Sequence, residues 1–335
     1  MKRLFSGIQP SGDLHLGNYL GALRNWVDLQ ADHDCIFCIV DYHAITQPYA
    51  TDELQRRIFD MAVGILACGV DPAQSALFVQ SAVPEHTELA WVLSAVTPMG
   101  ELSRMTQFKE KSEQHESVNA GLFTYPVLQT ADIILYKAEV VPVGADQVQH
   151  LELSREIVRH FNHRFGHTFP EPSPRLTAAK RIVGLDGQRK MSKSRGNTIG
   201  LFESSEVIMA KLAPAITDVN RKRLKDPGDP EVCNLFDLHR HFDAPDLLDE
   251  VANACRTASR GCLDCKRVLH AQIVADLEPI QERARELSAR PARVYEVLEA
   301  GAARCREIAA ETMREVRDRL GITRSSGLGA APLPR

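Results

Sequence analysis

The run "CIFCIVDYHAIT", residues 35–46, is apolar through Val40 and then turns polar. A strand that is apolar on both faces and polar only at its carboxyl end belongs inside a parallel sheet covered on both sides. Parallel neighbours need crossover connections, and the flanking sequence supplies them. Residues 3–6 begin a short strand, and Leu20, Leu23, Trp26 and Val27 repeat with helical spacing over 18–29. A helical pattern covers 54–67, and "SALFVQS" at 75–81 is a further strand. This alternation predicts an α/β fold, a Rossmann-like doubly wound parallel sheet with right-handed crossovers. Ligands of such sheets bind beyond the carboxyl ends of the strands. Two segments sit there: the glycine-rich turn inside "SGIQPSGDLHLGNYLGAL" (6–23), and Asp41-Tyr42-His43.

Beyond about residue 100 the pattern is mostly helical. One helix opens near "TYPVLQTADIILY", with Pro126 expected in its first turn, where a missing N–H costs little. The extended piece "EVVPVGADQ", the helix "VQHLELSREIVRHF" and a Pro-rich loop at 170–174 follow, then "RIVGLDGQRKMSKSRGNTIGL". After residue 201 all is helical except a polar loop at 225–230. The expected division is a Rossmann-like domain at 1–104 and 178–203, a helical insert at 105–177, a helical domain at 204–323 and a disordered tail at 324–335. A net charge of −4 gives no global signal for nucleic acid. Affinity for phosphate must come from local clusters such as "NRKRLK" (220–225) with Arg256, Arg260, Lys266 and Arg267. No apolar run reaches membrane-spanning length and no signal-peptide core precedes residue 30, so the expected setting is the cytoplasm, with no membrane partner.

A glycine-rich turn from strand to helix is by itself a weak phosphate signal, and His15 and Asn18 in it could simply face solvent. "KMSKS", 190–194, adds two lysines three residues apart among Ser192 and Ser194, followed by Arg195-Gly196. Flexible lysines beside small hydroxyl residues suit a loop that closes over a polyphosphate. Taken together, "GDLHLGN" resembles the HIGH signature of class I aminoacyl-tRNA synthetases, with Asn18 in place of the second histidine, and "KMSKS" resembles their second signature. "DYHAIT", "ELSRMTQFKEKS", "GLFTYPVLQTADIILY" and "VPVGADQVQHLELSREI" are similar to the bacterial tryptophanyl-tRNA synthetases in particular. The likeness runs from Phe5 to about Gly321.

That resemblance implies a homodimeric ligase that activates L-tryptophan with ATP and Mg²⁺ and passes it to tRNA(Trp) through a helical anticodon-binding region. Such activation needs no covalent enzyme intermediate, so catalysis is positioning plus charge stabilisation. By resemblance, His15, Asn18, Lys111, Lys190 and Lys193 act on the phosphates, and the helix start after Gly17 adds a positive dipole end. ATP contacts are implied for Gln9, Ser11, Gly17, Gly144, Asp146, Gln147, Met191, Ser192 and Ser194. Asp132 matches the carboxylate that accepts the indole N–H, and Gln129, Asp132 and Tyr136 fall at i, i+3 and i+7 of the expected helix. Phe5, Val141 and Val143 then wall the ring, Gly7 and His43 line the pocket, and Tyr125 and Gln147 meet the α-ammonium. Two positions depart from many bacterial relatives: Gln129 stands where they carry methionine, and His15 where they carry threonine. A tyrosyl-tRNA synthetase shares fold and signatures and is the nearest rival; a non-catalytic paralogue is the other.

The eight cysteines fall into two groups. Cys35 and Cys38 are three apart on a strand and therefore point to opposite faces, which disfavours a shared metal. Cys68 and Cys305 read as buried helix thiols. Cys233, Cys255, Cys262 and Cys265 instead form C-x21-C-x6-C-x2-C, and clustered cysteines point to metal. The resemblance ranks a [4Fe–4S] cluster first, with Zn²⁺ as the alternative.

Overall fold

The structure is a computed structural model, and it describes residues 1–105, 119–144, 147–176 and 182–322. Among the described residues five strands form one parallel sheet: β1 (Lys2–Ile8), β2 (His33–Ile39), β3 (Ser75–Val79), β4 (Val140–Val143) and β5 (Ser173–Leu176). Their order is β3-β2-β1-β4-β5, the doubly wound arrangement expected from the alternation. β1 pairs with β2 along its whole length, from Lys2 with His33 to Ile8 with Ile39. Its pairing with β4 is confined to Leu4 with Val140. The strand order therefore reverses where the sheet is least tightly closed, and a crevice at such a switch point is the place for a ligand.

The two faces of the sheet are covered by separate apolar cores, and alternation along β2 divides its side chains between them. Cys35, Phe37 and Ile39 join one core, Ile36 and Cys38 the other. Each fully buried Ile or Phe contributes about 1.5–3 kcal/mol by leaving water. On the first face Trp26 stacks on Phe37 at 4.4 Å and donates its indole N–H to Ser6 Oγ at 3.1 Å. That pins the helical segment of residues 16–29 to the strand from which the glycine-rich turn leaves. Within it Tyr19–Leu23 widens into a π turn, a feature often found at functional sites.

Three local expectations need correction. The helix containing Pro126 begins earlier, at Ala120, with the Asn119 side chain accepting from Leu122 N–H as its cap. Pro126 thus lies inside the helix rather than in its first turn. That helix ends at Ile134, so Tyr136 is beyond it rather than on its stripe, and Asp132 and Tyr136 are both buried. The Pro-rich stretch is not all loop: Ser173–Leu176 pairs with β4 as an exposed edge strand, where a proline is tolerated.

The last helix, Pro291–Leu320, packs along β3. Gly301 makes this approach possible, since a Cβ there would run into the backbone of Leu77. Cys305, Ala309, Met313 and Val316 of this helix are buried in the same core as Phe5, Ile36 and Phe78. Arg317 and Glu88 pair at its far end, and Arg304 pairs with Asp34. Among the described residues no helix is long and apolar enough to cross a membrane.

Candidate active site

The turn after β1 is ordered by its own signature residues. His15 caps the helical segment: its Nδ1 accepts from Gly17 N–H at 3.1 Å, and Asn18 Oδ1 accepts from His15 N–H at 3.1 Å. This reciprocal capping box uses one side of each side chain. With Nδ1 as acceptor, the proton of the neutral ring sits on Nε2, and Asn18 keeps its amide N–H groups as donors. Burial, and then the charges of Lys193 and Lys190, lower the His15 pKa to about 4, so the ring is neutral at pH 7. The sequence placed a histidine and an asparagine at the start of this helix; the capping pattern shows how two polar side chains are held with donors to spare.

The lysine-rich loop is stitched to this turn. His15 and Gly200 form an antiparallel bridge, and Leu16 N–H donates to Ile199 O at 2.9 Å. Met191 is buried, with its Cβ 3.3 Å from where a Cβ on Gly17 would lie. Sequence reading missed the residue that shapes the loop, Asn197. Buried, it accepts from Ser192 N–H at 2.8 Å and donates to Asp186 at 2.9 Å, and a Cβ on Gly184 would collide with it. Lys193 Nζ pairs with Asp13 at 2.6 Å, and both side chains are exposed. Lys190 is exposed as well and bridges to Val183. Lys111 and Asp146 lie outside the described residues, as does the Ser194 side chain.

Asp132 is buried on the Ala120–Ile134 helix. Only 1% exposed, it accepts from Gln80 Nε2 at 2.6 Å and His86 Nδ1 at 2.7 Å on Oδ1, and from His43 Nε2 at 2.7 Å on Oδ2. Burial alone would raise its pKa, but the opposing charge and hydrogen bonds of His43 and His86 outweigh that and hold it at about 2. His86 Nε2 in turn meets the Tyr136 hydroxyl at 2.7 Å. Gln80 follows β3 and His86 lies in the Glu85–Ser94 helix; neither carries a sequence signal, because their role is set by a contact with a distant helix. Phe5 stacks on Tyr136 at 5.8 Å, and Val141 and Val143 are buried on β4 beside it in the same core. Tyr125 meets His150 Nε2 at 2.8 Å and forms a T-shaped pair with His43. Gln129 is half-buried on the same helix, and Gln147 caps the Val148–Phe165 helix. Gly7 lies at the carboxyl end of β1, where a Cβ would press within 2.8 Å of Val40. Gln9, Ser11 and Gly144 lie in the connections that follow β1 and β4.

In the carboxyl-terminal helices, Cys233, Cys255, Cys262 and Cys265 line one small cavity together with Arg221, Arg260 and Lys266. All four are free thiols, and burial followed by the neighbouring cysteines pushes Cys265 up to about 12. Among the described residues no group of three or more Cys, His, Asp or Glu side chains is arranged to hold a metal ion. Lys266, read from sequence as surface charge, is instead buried, donating to the carbonyls of Ala213 and Ala215 at 2.6 and 2.7 Å. Cys35 and Cys38 face opposite cores, and Cys68 and Cys305 are buried, as expected.

Comparison with known proteins gives this geometry a context. The model of the family described as tRNA synthetases class I (W and Y) matches residues 1–278. A tryptophan–tRNA ligase of Deinococcus radiodurans is 53% identical over 327 residues, covering 96% of this chain and 99% of the relative. The corresponding ligase of Caldanaerobacter subterraneus is 46% identical, covering 96% and 99%. The crystal structure of tryptophanyl-tRNA synthetase from Campylobacter jejuni, complexed with ADP and tryptophan, superposes with a TM-score of 0.87 at 37% identity, covering 95% of this chain and 99% of that one.

Proposed function

This chain belongs to the class I tRNA synthetases of the tryptophan and tyrosine type, and from that premise we infer that it is the ligase that joins L-tryptophan to tRNA(Trp). Tryptophan and ATP react to tryptophanyl-adenylate and pyrophosphate, and the tryptophanyl group then passes to tRNA(Trp) with release of AMP. The observation that supports the reading is the stitching of the 190–200 loop onto the His15–Asn18 turn that follows β1.

The Nε2–H of His15 and the amide of Asn18 donate to the α-phosphate region as negative charge builds there, and the helix start after Gly17 adds its dipole. Lys190 and Lys193 hold the β- and γ-phosphates with Lys111, and Mg²⁺ rides on those phosphates. Gln9, Ser11, Gly17, Gly144, Asp146, Met191, Ser192 and Ser194 complete the ATP contacts. Asp132 accepts the indole N–H between Phe5, Val141 and Val143, with Gly7, His43 and Gln129 around the ring and Tyr125 and Gln147 at the α-ammonium. Residues 1–104 and 178–203 form the catalytic unit, 105–177 the insert, and 204–323 the anticodon-binding side. The exposed Trp91 and Met99, near the start of the insert, support a homodimer. The setting is the cytoplasm.

The four cysteines around one cavity support a structural [4Fe–4S] group held by Cys233, Cys255, Cys262 and Cys265. Zn²⁺ is the alternative occupant of the same four thiolates. Such a group ties the Gly261 turn to the surrounding helices. Anaerobically purified protein is expected to carry iron and acid-labile sulfide in near-equal amounts, and zinc alone or no metal rejects the cluster. The catalytic reading is tested by ATP–pyrophosphate exchange. Exchange driven by L-tryptophan and not by L-tyrosine is expected, and exchange with tyrosine only, or none, rejects it.

A further inference from the structure

A carboxylate offers about four lone-pair directions. In Asp132 the two on Oδ1 are taken by Gln80 and His86, and one on Oδ2 is taken by His43. A single acceptor direction, on Oδ2, remains for a ligand. Which direction remains is set by groups behind the carboxylate, and His86 is the one best fixed. Its ring is fully buried, lies near-parallel to Phe78 at 5.9 Å and meets Tyr136 edge-on at 5.4 Å. Because the ionised Asp132 can only accept, His86 Nδ1 donates to it, while Nε2 on the far side of the ring is hydrogen-bonded with the Tyr136 hydroxyl. Cys305 on the last helix lies near the same hydroxyl, and burial first, then nearby Cys305, Cys38 and Asp132, keep it protonated.

We propose that His86, oriented by Tyr136, is a positioning residue that determines specificity for the indole N–H, by locking Asp132 so that Oδ2 alone faces the substrate ring. The proposal rests on the reading that Asp132 accepts that N–H. A site built on such a hydrogen bond rejects analogues that lack it, because the acceptor is left unpaired, and the rejection is only as sharp as the acceptor is fixed. If His86 is removed, the carboxylate is free to rotate. It then satisfies itself elsewhere when the N–H is missing, so the analogue is penalised less.

The test uses the full chain and ATP–pyrophosphate exchange, comparing kcat/KM for L-tryptophan with that for benzothienylalanine, whose ring has sulfur in place of N–H. The wild-type ratio is expected to be large, on the order of 10³ or more. His86→Leu is expected to lower that ratio at least tenfold, and His86→Asn, which restores an amide donor near the Nδ1 position, to recover most of it. Tyr136→Phe, which keeps the ring and deletes the hydroxyl, is expected to lower the ratio severalfold and carries the test if His86→Leu does not fold. A purely structural role would depress both substrates alike and leave the ratio unchanged. An unchanged ratio in a folded His86→Leu or Tyr136→Phe protein, beside a large wild-type ratio, overturns the proposal. A wild-type ratio near one instead overturns the reading of Asp132 on which it rests.

Discussion

On the proposed reading Asp132 serves the amino acid and Lys193 the phosphates, and the chain holds the two in opposite ways. Asp132 is enclosed and meets three N–H donors from three separate elements. The Lys193 side chain is 44% exposed, and its partner Asp13 is 76% exposed. Buried hydrogen-bonded networks are strong, stiff and costly to break, whereas an exposed ion pair contributes about 0–1 kcal/mol. On that reading the amino-acid half is organised by folding, before any ligand arrives. The phosphate half is held loosely enough for a ligand to rearrange it. A pocket that must tell one ring from another needs fixed acceptors; a loop that must follow a polyphosphate through a reaction needs partners it can exchange.

The strongest challenge to this contrast is Asp132→Ala. It strands three buried donors and, on the proposed reading, removes the ring acceptor, so kcat/KM for tryptophan should fall by about 10⁴. ATP affinity, measured by equilibrium dialysis, should stay close to wild type. Loss of ATP binding in a protein that still melts cooperatively would mean that the two halves are not separate. Lys193→Ala should come next. Single-turnover adenylate formation is expected to slow by about 10²–10³, because the missing charge acts on the leaving pyrophosphate, while tryptophan affinity is retained. An unchanged activation rate would remove this loop from the chemistry.

Acid should dismantle the halves in sequence. The His15 pKa is about 4 in the fold against 6.5 when unfolded, so the unfolded chain takes up the proton first and stability declines as pH falls from 6.5 toward 4. Asp132 stands at about 2 against 3.8, and its contribution, present in full above 3.8, is lost as pH falls through 2. In melting curves, His15→Asn, which keeps a capping side chain, should flatten the slope between pH 6.5 and 4 and leave the lower limb alone. An identical slope in the variant would assign that limb to other groups. The smallest effect belongs to Asp13→Ala. Freeing Lys193 from an exposed pair worth about 0.2–1 kcal/mol should lower the KM for ATP by at most about fivefold. A larger change, or a rise in KM, would show that Asp13 does more than occupy the lysine between turnovers.

The sequence by itself determined the parts of this protein that short-range physics governs. The apolar run of β2, the helical spacing after Asn18 and the alternation of strand with helix specify a parallel sheet, because each is a period set by neighbouring residues. The glycine-rich turn and the 190–194 loop were legible for the same reason, as were the opposed faces of Cys35 and Cys38. What only the tertiary structure decided are contacts between residues far apart in the chain. Gln80 and His86 reach Asp132 across 52 and 46 residues, and no periodicity records such a meeting. Lys266 looked like surface charge until its ammonium was found against two carbonyls at the end of another helix. The last helix read as one more member of a carboxyl-terminal bundle, yet Gly301 lets it lie against β3 and bring Cys305 to Tyr136. A pattern along the chain reports which face of an element is apolar; what that face meets is chosen by the packing of the whole, where burial and hydrogen bonding are settled together.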